Sequence, residues 1–275
     1  MAFSINTNGA ALTALQNLSQ TNADLNTTMA HINTGLAVSS AKDNAAVFAI
    51  AQNLRSNVAG LSAVTQSLSS ASSAADVALA AGQAVSDLLT QMKAKAVAAK
   101  DPGATAATRT ALNNDFIQLR DQITTIVTNA SFNGINAVKN GGNAITAITN
   151  DTGSSTIKIA AQDLSLTGTN VTITAAATIT TSALASGVVD AITTSIDNVN
   201  KALSVLGSGS SRIQMQQTFV TKLTDALNTG IGNLVDANMA AESAKLQALQ
   251  VKQQLGLQAL SIANQAPGAV MSLFR

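Results

Sequence analysis

The chain has 275 residues, of which 46% are hydrophobic, 2% aromatic and 11% charged, with a formal net charge of +1 at pH 7. So neutral a chain lacks the basic face with which a nucleic-acid binder neutralises phosphates. Zero cysteines exclude disulfides, thiolate catalysis and thiolate metal sites together.

With six Phe and neither Trp nor Tyr, a core buries little area per residue. Stability must then come from long contacts or from neighbouring subunits. No apolar run approaches the ~18 residues of a membrane span. No Lys or Arg precedes Lys42, so a secretory signal with a basic leading region is absent.

In chain order, Phe3 to Gly9 is polar and aperiodic. A heptad seam then runs through Ala11, Leu15, Leu18, Asn22, Leu25, Met29, Ile32 and Leu36. Charge is nearly absent there, so this helix is a poor candidate for solvent exposure. Asn22, a polar residue in the seam, suits fixing register. Gly35 and Ser39-Ser40 interrupt the pattern, and Ser40-Ala-Lys-Asp43 reads as the start of the next helix.

The longest periodic stretch is Val47 to Ala96, with a seam that includes Leu54, Leu61, Leu68, Ala75, Gly82 and Leu89 at steps of three and four. It predicts a helix ~75 Å long whose seam turns small after Leu68, allowing close helix approach. Asp101-Pro102-Gly103 ends it. A third seam, Leu112, Phe116, Leu119, Ile123, Ile126 and Ala130, is expected to fold back antiparallel to the long helix.

From Phe132-Asn-Gly134 the period changes. Turn clusters at Asn140–Asn143 and Asn150–Gly153, with alternation at Ile157/Ile159, Leu164/Leu166 and Val171/Ile173, predict short strands over roughly 131–182. Helical spacing returns from Val189 through Leu206 and resumes at Ile213, so Gly207-Ser-Gly209 softens the helix rather than breaking it. Ala240–Asn264 is helical, nothing between Gln253 and Phe274 is charged, and Pro267-Gly268 is expected to end the helix.

The fold class is thus mainly α: a long antiparallel helical rod or coiled-coil bundle made from both chain ends, with a small β region inserted in the middle. Residues 1–44 with 232–275 form one expected domain, 45–130 with 188–231 a second, and 131–187 a β-rich outer segment. Two charge-poor amphipathic ends that cannot bury their stripes alone should pair with each other and with neighbouring copies.

Chemistry is sparse. His31 sits beside the seam residue Ile32 and reads as structural. Gly207-Ser-Gly209 lacks the strand and the Lys-Ser/Thr of a phosphate loop, and metal-ligand spacing is absent. No enzyme, cofactor or metal is expected, and Asp236/Glu242 suit a solvated or inter-subunit face.

These residues make the chain resemble a bacterial flagellin. The likeness runs through Ile5-Asn-Thr-Asn8, Ser40-Ala-Lys-Asp-Asn-Ala-Ala46, Phe132-Asn-Gly134, Leu206-Gly207 ahead of Arg212, and Asn233-Leu-Val-Asp-Ala237. It closes on Ala263-Asn-Gln265, Pro267 and Ser272-Leu-Phe-Arg275. Asn44, Asn238-Met239 and Phe274 depart from the commonest pattern.

The resemblance implies a secreted, extracellular subunit that leaves unfolded through the flagellar type III export apparatus, with an export chaperone. It then polymerises under a cap protein into a helical filament for swimming, joined to the hook by junction proteins. Both chain ends would line the filament's inner layer, with assembly residues Leu15, Leu18, Leu25, Ile32, Leu246, Leu249, Leu260, Phe274 and Arg275. The nearest rival is a hook–filament junction protein, and a more distant one is an intracellular coiled-coil scaffold. In flagellins that stimulate Toll-like receptor 5, a key Arg corresponds to Gln91, a Leu to Lys95 and a Glu to Asp115. Weak or absent receptor activation is therefore expected. No membrane insertion is implied.

Overall fold

A computed structural model describes residues 7–272, with side chains to Gln265. Among the described residues there are five helices, α1 (Gly9–Thr34), α2 (Ala45–Lys100), α3 (Ala106–Asn129), α4 (Ser182–Val235) and α5 (Met239–Ser272), with two strands, β1 (Ile145–Ile148) and β2 (Thr156–Ile159), between α3 and α4 in chain order. The chain divides into two compact units, one of residues 1–56 with 226–275, the other of residues 57–225. The middle segment belongs to the second of these units rather than standing alone.

In the first unit, Asn8 caps α1 by accepting from the Ala11 amide, and Gly35, at φ 73°, ends it in the left-handed conformation that suits glycine. Leu36 then bridges to Asp236, with Val235 O accepting from Ala37 and Gly35 O accepting from Ala237. The long helix starts one turn later than expected. Asp43 Oδ2 accepts from the amides and hydroxyls of Ser39 and Ser40, and Asn44, not Ser40, caps α2 through the Val47 amide.

In the second unit, the α2 seam is buried without interruption from Leu61 to Ala96: Leu61, Val64, Leu68, Ala71, Ala75, Ala78, Gly82, Val85, Leu89, Met92 and Ala96. Ala74, Ala81 and Ala99 widen it into a stripe. The small residues serve close approach: a Cβ on Gly82 would sit 2.7 Å from Leu203 Cδ2 on α4. Phe116, Ile123 and Val127 of α3, and Ile192, Val199, Leu206, Ile213 and Val220 of α4, complete the core. The α3 fold-back is held by Arg109, which donates to Ala99 O and Asp101 O.

Asn133 at φ 48° and Gly134 at φ 79° form a two-residue turn closed by reciprocal Phe132–Ile135 backbone bonds of 2.9 Å, a geometry that selects Asn-Gly. Buried Asn136 then donates to Val127 O and accepts from Val138 and Lys139 amides, satisfying a carbonyl that the end of α3 orphans.

Strand content is smaller than the alternation implies. β1 and β2 pair antiparallel with Ile145 opposite Ile159, but Leu164 and Ile173 are buried outside any strand and Leu166–Val171 is an isolated bridge. Leu164 reaches α2, its Cδ1 lying 3.6 Å from where a Cβ on Gly82 would be, and the segment makes isolated backbone bonds instead of a sheet. The softened stretch of α4 is continuous helix, and Gly209 has a purpose: its missing Cβ leaves room for Ile159, whose Cδ1 would lie 2.7 Å away. α5 continues past Pro267-Gly268 to Ser272 rather than stopping there. A proline removes only one helical donor, which can bend a helix without ending it.

Candidate assembly surface

The first unit is built on an antiparallel pairing of α1 with α5. Four contacts fix its direction and register. His31 Nδ1 lies 3.2 Å from Glu242 Oε1, Gln253 Nε2 donates to Asn22 Oδ1 at 2.7 Å, Leu18 Cδ1 lies 3.3 Å from where a Cβ on Gly256 would be, and Asn8 Nδ2 donates to Ala263 O at 2.7 Å. As numbers rise along α1 they fall along α5.

On α5 the half-buried or buried line is Glu242, Leu246, Leu249, Gln253, Gly256, Leu260 and Ala263, a strict three–four alternation. On α1 it is Ala11, Ala14, Leu18, Thr21, Leu25, Thr28 and Ile32. The paired face shares Ala11, Leu18, Leu25, Ile32 and the half-buried Asn22 with the expected seam but is rotated toward Ala14 and Thr28 in place of Leu15 and Met29. Of the expected assembly residues, Leu18 and Leu249 are buried, and Leu25, Ile32, Leu246 and Leu260 are half-buried. Leu15 is exposed, as is Met29. Phe274 and Arg275, like Ile5 and Asn6, lie outside the described residues.

The pair leaves much apolar surface uncovered. Leu12 and Leu15 on α1, and Val251, Leu255, Leu257 and Ile262 on α5, are each more than half exposed. Surrounding charge is sparse, because no charged residue follows Lys252 until Arg275. So many large apolar side chains exposed on one helix pair mark an interaction site.

The seam residues Leu61, Leu68, Ala75, Gly82 and Leu89 are buried, while Leu54, in the first unit, is half-buried. Gln91 is exposed, and Lys95 and Asp115 form an ion pair of 2.6 Å with side chains 38% and 57% exposed. Pairing of these two was not apparent from the sequence: Lys95 stands on α2 and Asp115 on α3, and only the fold-back brings them together.

Among the described residues no three His, Cys, Asp or Glu side chains are grouped to hold a metal ion, and no helix is long and apolar enough to cross a membrane.

The bacterial flagellin N-terminal helical region matches residues 5–141 and the bacterial flagellin C-terminal helical region matches residues 189–274. The chain is 47% identical to flagellin FljK of Caulobacter vibrioides over 99% of its own length and 98% of that relative's. It is 34% identical to a flagellin of Brucella melitensis over 99% of both chains. A crystal structure of Bacillus cereus flagellin shares the fold, with a TM-score of 0.50 over 56% of this chain and 88% of that one at 21% identity. From the terminal helices inward to the short middle, the chain belongs to the bacterial flagellin family.

Proposed function

We infer that this chain is the structural subunit of a bacterial flagellar filament, polymerising with copies of itself. The observation that carries this reading is the α1–α5 pair, whose outward Leu12, Leu15, Val251, Leu255, Leu257 and Ile262 are exposed. A single chain cannot bury both faces of that pair, and other copies can. Residues 1–44 with 232–275 would form the inner layer, 45–130 with 188–231 the next, and 131–187 the outer surface. Its partners would be the hook-associated junction and cap proteins, the type III export apparatus and an export chaperone, placing it outside the cell. Toll-like receptor 5 activation would be weak or absent, since Gln91 and Lys95 stand where a guanidinium and an apolar contact are expected.

The test is electron microscopy of filaments sheared from cells that express the chain, with its copy number counted. Abundant subunit along the filament supports the reading, and a few copies at the hook junction would point to the junction role. Deleting the last ~20 residues should stop polymerisation while the second unit stays folded, because the shortened α5 loses much of its amphipathic stripe. Normal filaments from the truncated chain would count against the inner-layer assignment.

A further inference from the structure

The second unit carries two unlike exposed stripes. On α4, Met215 is 64% and Phe219 56% exposed. Four residues apart, they share one face, and with Arg212, Gln216 and Ile157 they line a groove of about 570 Å³ beside the hairpin. Phe219 is one of only six aromatic side chains in the protein, yet it faces outward. Arg212 makes no ion pair among the described residues.

On α2, Asp76, Ala80, Gln83 and Asp87 are exposed at steps of four, three and four, which again is one helical face. This stripe is small and acidic where the other is bulky and cationic, and neither aspartate makes an ion pair among the described residues. The spacings also match. Arg212 to Phe219 spans two turns, as does Asp87 to Ala80, each about 10.5 Å.

We propose that Met215 and Phe219 of one copy seat on the Asp76–Asp87 stripe of α2 in a second copy, running antiparallel, with Phe219 over Ala80 and Arg212 paired to Asp87. The proposal rests on the filament reading and names which surfaces meet. Because the two surfaces differ, the contact is heterologous: each copy offers both halves, so it propagates instead of closing a pair. Ala80 leaves space for the ring, where a parallel run with Arg212 on Asp76 would set the ring over the larger Gln83, and the Arg212–Asp87 pair sets the register.

The absence of native cysteine allows a direct test. Met215→Cys is reacted with a maleimide as monomer and as filament, beside Thr152→Cys at the exposed hairpin turn. The expected result is at least tenfold slower labelling of the α4 thiol in filaments, with the turn thiol unchanged. Filaments whose α4 thiol labels at the monomer rate would overturn the proposal. In a second arm, Arg212→Asp should raise the concentration needed for assembly about tenfold, and adding Asp87→Arg to it should restore assembly. Assembly of Arg212→Asp at the native concentration, or no recovery in the double variant, would remove Asp87 as the partner. Failure of the unmodified chain to form filaments at all is a separate result, which sinks the filament reading and this contact with it.

Discussion

Gln253 donates a 2.7 Å hydrogen bond to Asn22 across the α1–α5 seam, and both side chains are half-buried. A polar pair inside an apolar seam specifies register at some cost in stability. Asn22→Leu or Gln253→Leu alone strands a partner and should destabilise the first unit by about 1 kcal/mol. The double Leu variant should recover most of that loss. A double-mutant cycle by denaturant unfolding checks it, and purely additive single losses would show that the bond contributes nothing.

The glycines of α4 give opposite signs. Gly207 has nothing within 4 Å of its missing Cβ, whereas the Cβ of a residue at 209 would collide with Ile159. Gly207→Ala should therefore stabilise by roughly 0.5–1 kcal/mol through lost chain freedom. Gly209→Ala should lose stability, by about 1–3 kcal/mol from overpacking, less that same helix gain. Combining it with Ile159→Val should relieve part of the loss. Equal effects at 207 and 209 in thermal unfolding would refute the notch.

Ala75 is fully buried, while Ala80 faces outward. Ala75→Leu should lower the stability of the monomer by about 1–3 kcal/mol, and Ala80→Leu should leave it within ~0.5 kcal/mol of the parent. Monomer unfolding is the readout, because position 80 lies on the proposed contact between copies.

Hydrogen bonds from the Ser39 hydroxyl, then from the Ser40 amide, hold the Asp43 carboxyl below its ordinary pKa of 3.8. A depressed folded-state pKa contributes stability above the unfolded value and loses it as pH falls through the folded value. The 39–43 loop should thus stay closed from neutral pH down to about 4 and open only as pH falls further, through the lowered folded value. Amide exchange at Ser39 and Ser40, followed against pH, reports the opening, and Asp43→Asn should show fast exchange at neutral pH.

Lys95 and Asp115 are joined by an exposed ion pair, which contributes about 0–1 kcal/mol. If the receptor expectation holds, purified monomer should signal weakly in a Toll-like receptor 5 reporter cell. Gln91→Arg/Lys95→Leu should restore signalling by supplying a planar multi-donor anchor and freeing Asp115. Potent signalling by the unmodified protein would show the correspondence to be misplaced.

Periodicity was a reliable guide where burial is one-sided and uninterrupted. The α2 seam from Leu61 to Ala96 follows it because it faces partners within its own unit, whereas on α3 and α4 the buried line keeps Phe116, Ile123, Ile192, Val199 and Leu206 but turns to Asn113, Val127 and Ser195 beside the expected Leu112, Ile126 and Ile196. It misled in three kinds of place. On α1 both Leu15 and Ala14 satisfy the heptad, and only the identity of the facing residues on α5 selects Ala14. In the middle, Leu164 and Ile173 are buried with isolated backbone bonds, Leu164 N to Val138 O and Thr167 N to Ile173 O, which do not repeat into a strand ladder. Gly209 and the pair Lys95–Asp115 depend on contacts between residues distant in sequence, which no local pattern encodes.

The α1–α5 pairing joins the two extremes of the chain: Asn8 bonds to Ala263 across a separation of 255 residues, and His31 meets Glu242 across 211. Contacts of such high sequence separation slow folding. During synthesis α1 emerges long before its partner exists, and a lone amphipathic helix is marginal in water. The second unit has its own core between residues 57 and 225 and can collapse first. The first unit, by contrast, has to wait for the last residues to arrive, so the newly made chain passes through a stage with its leading end uncommitted.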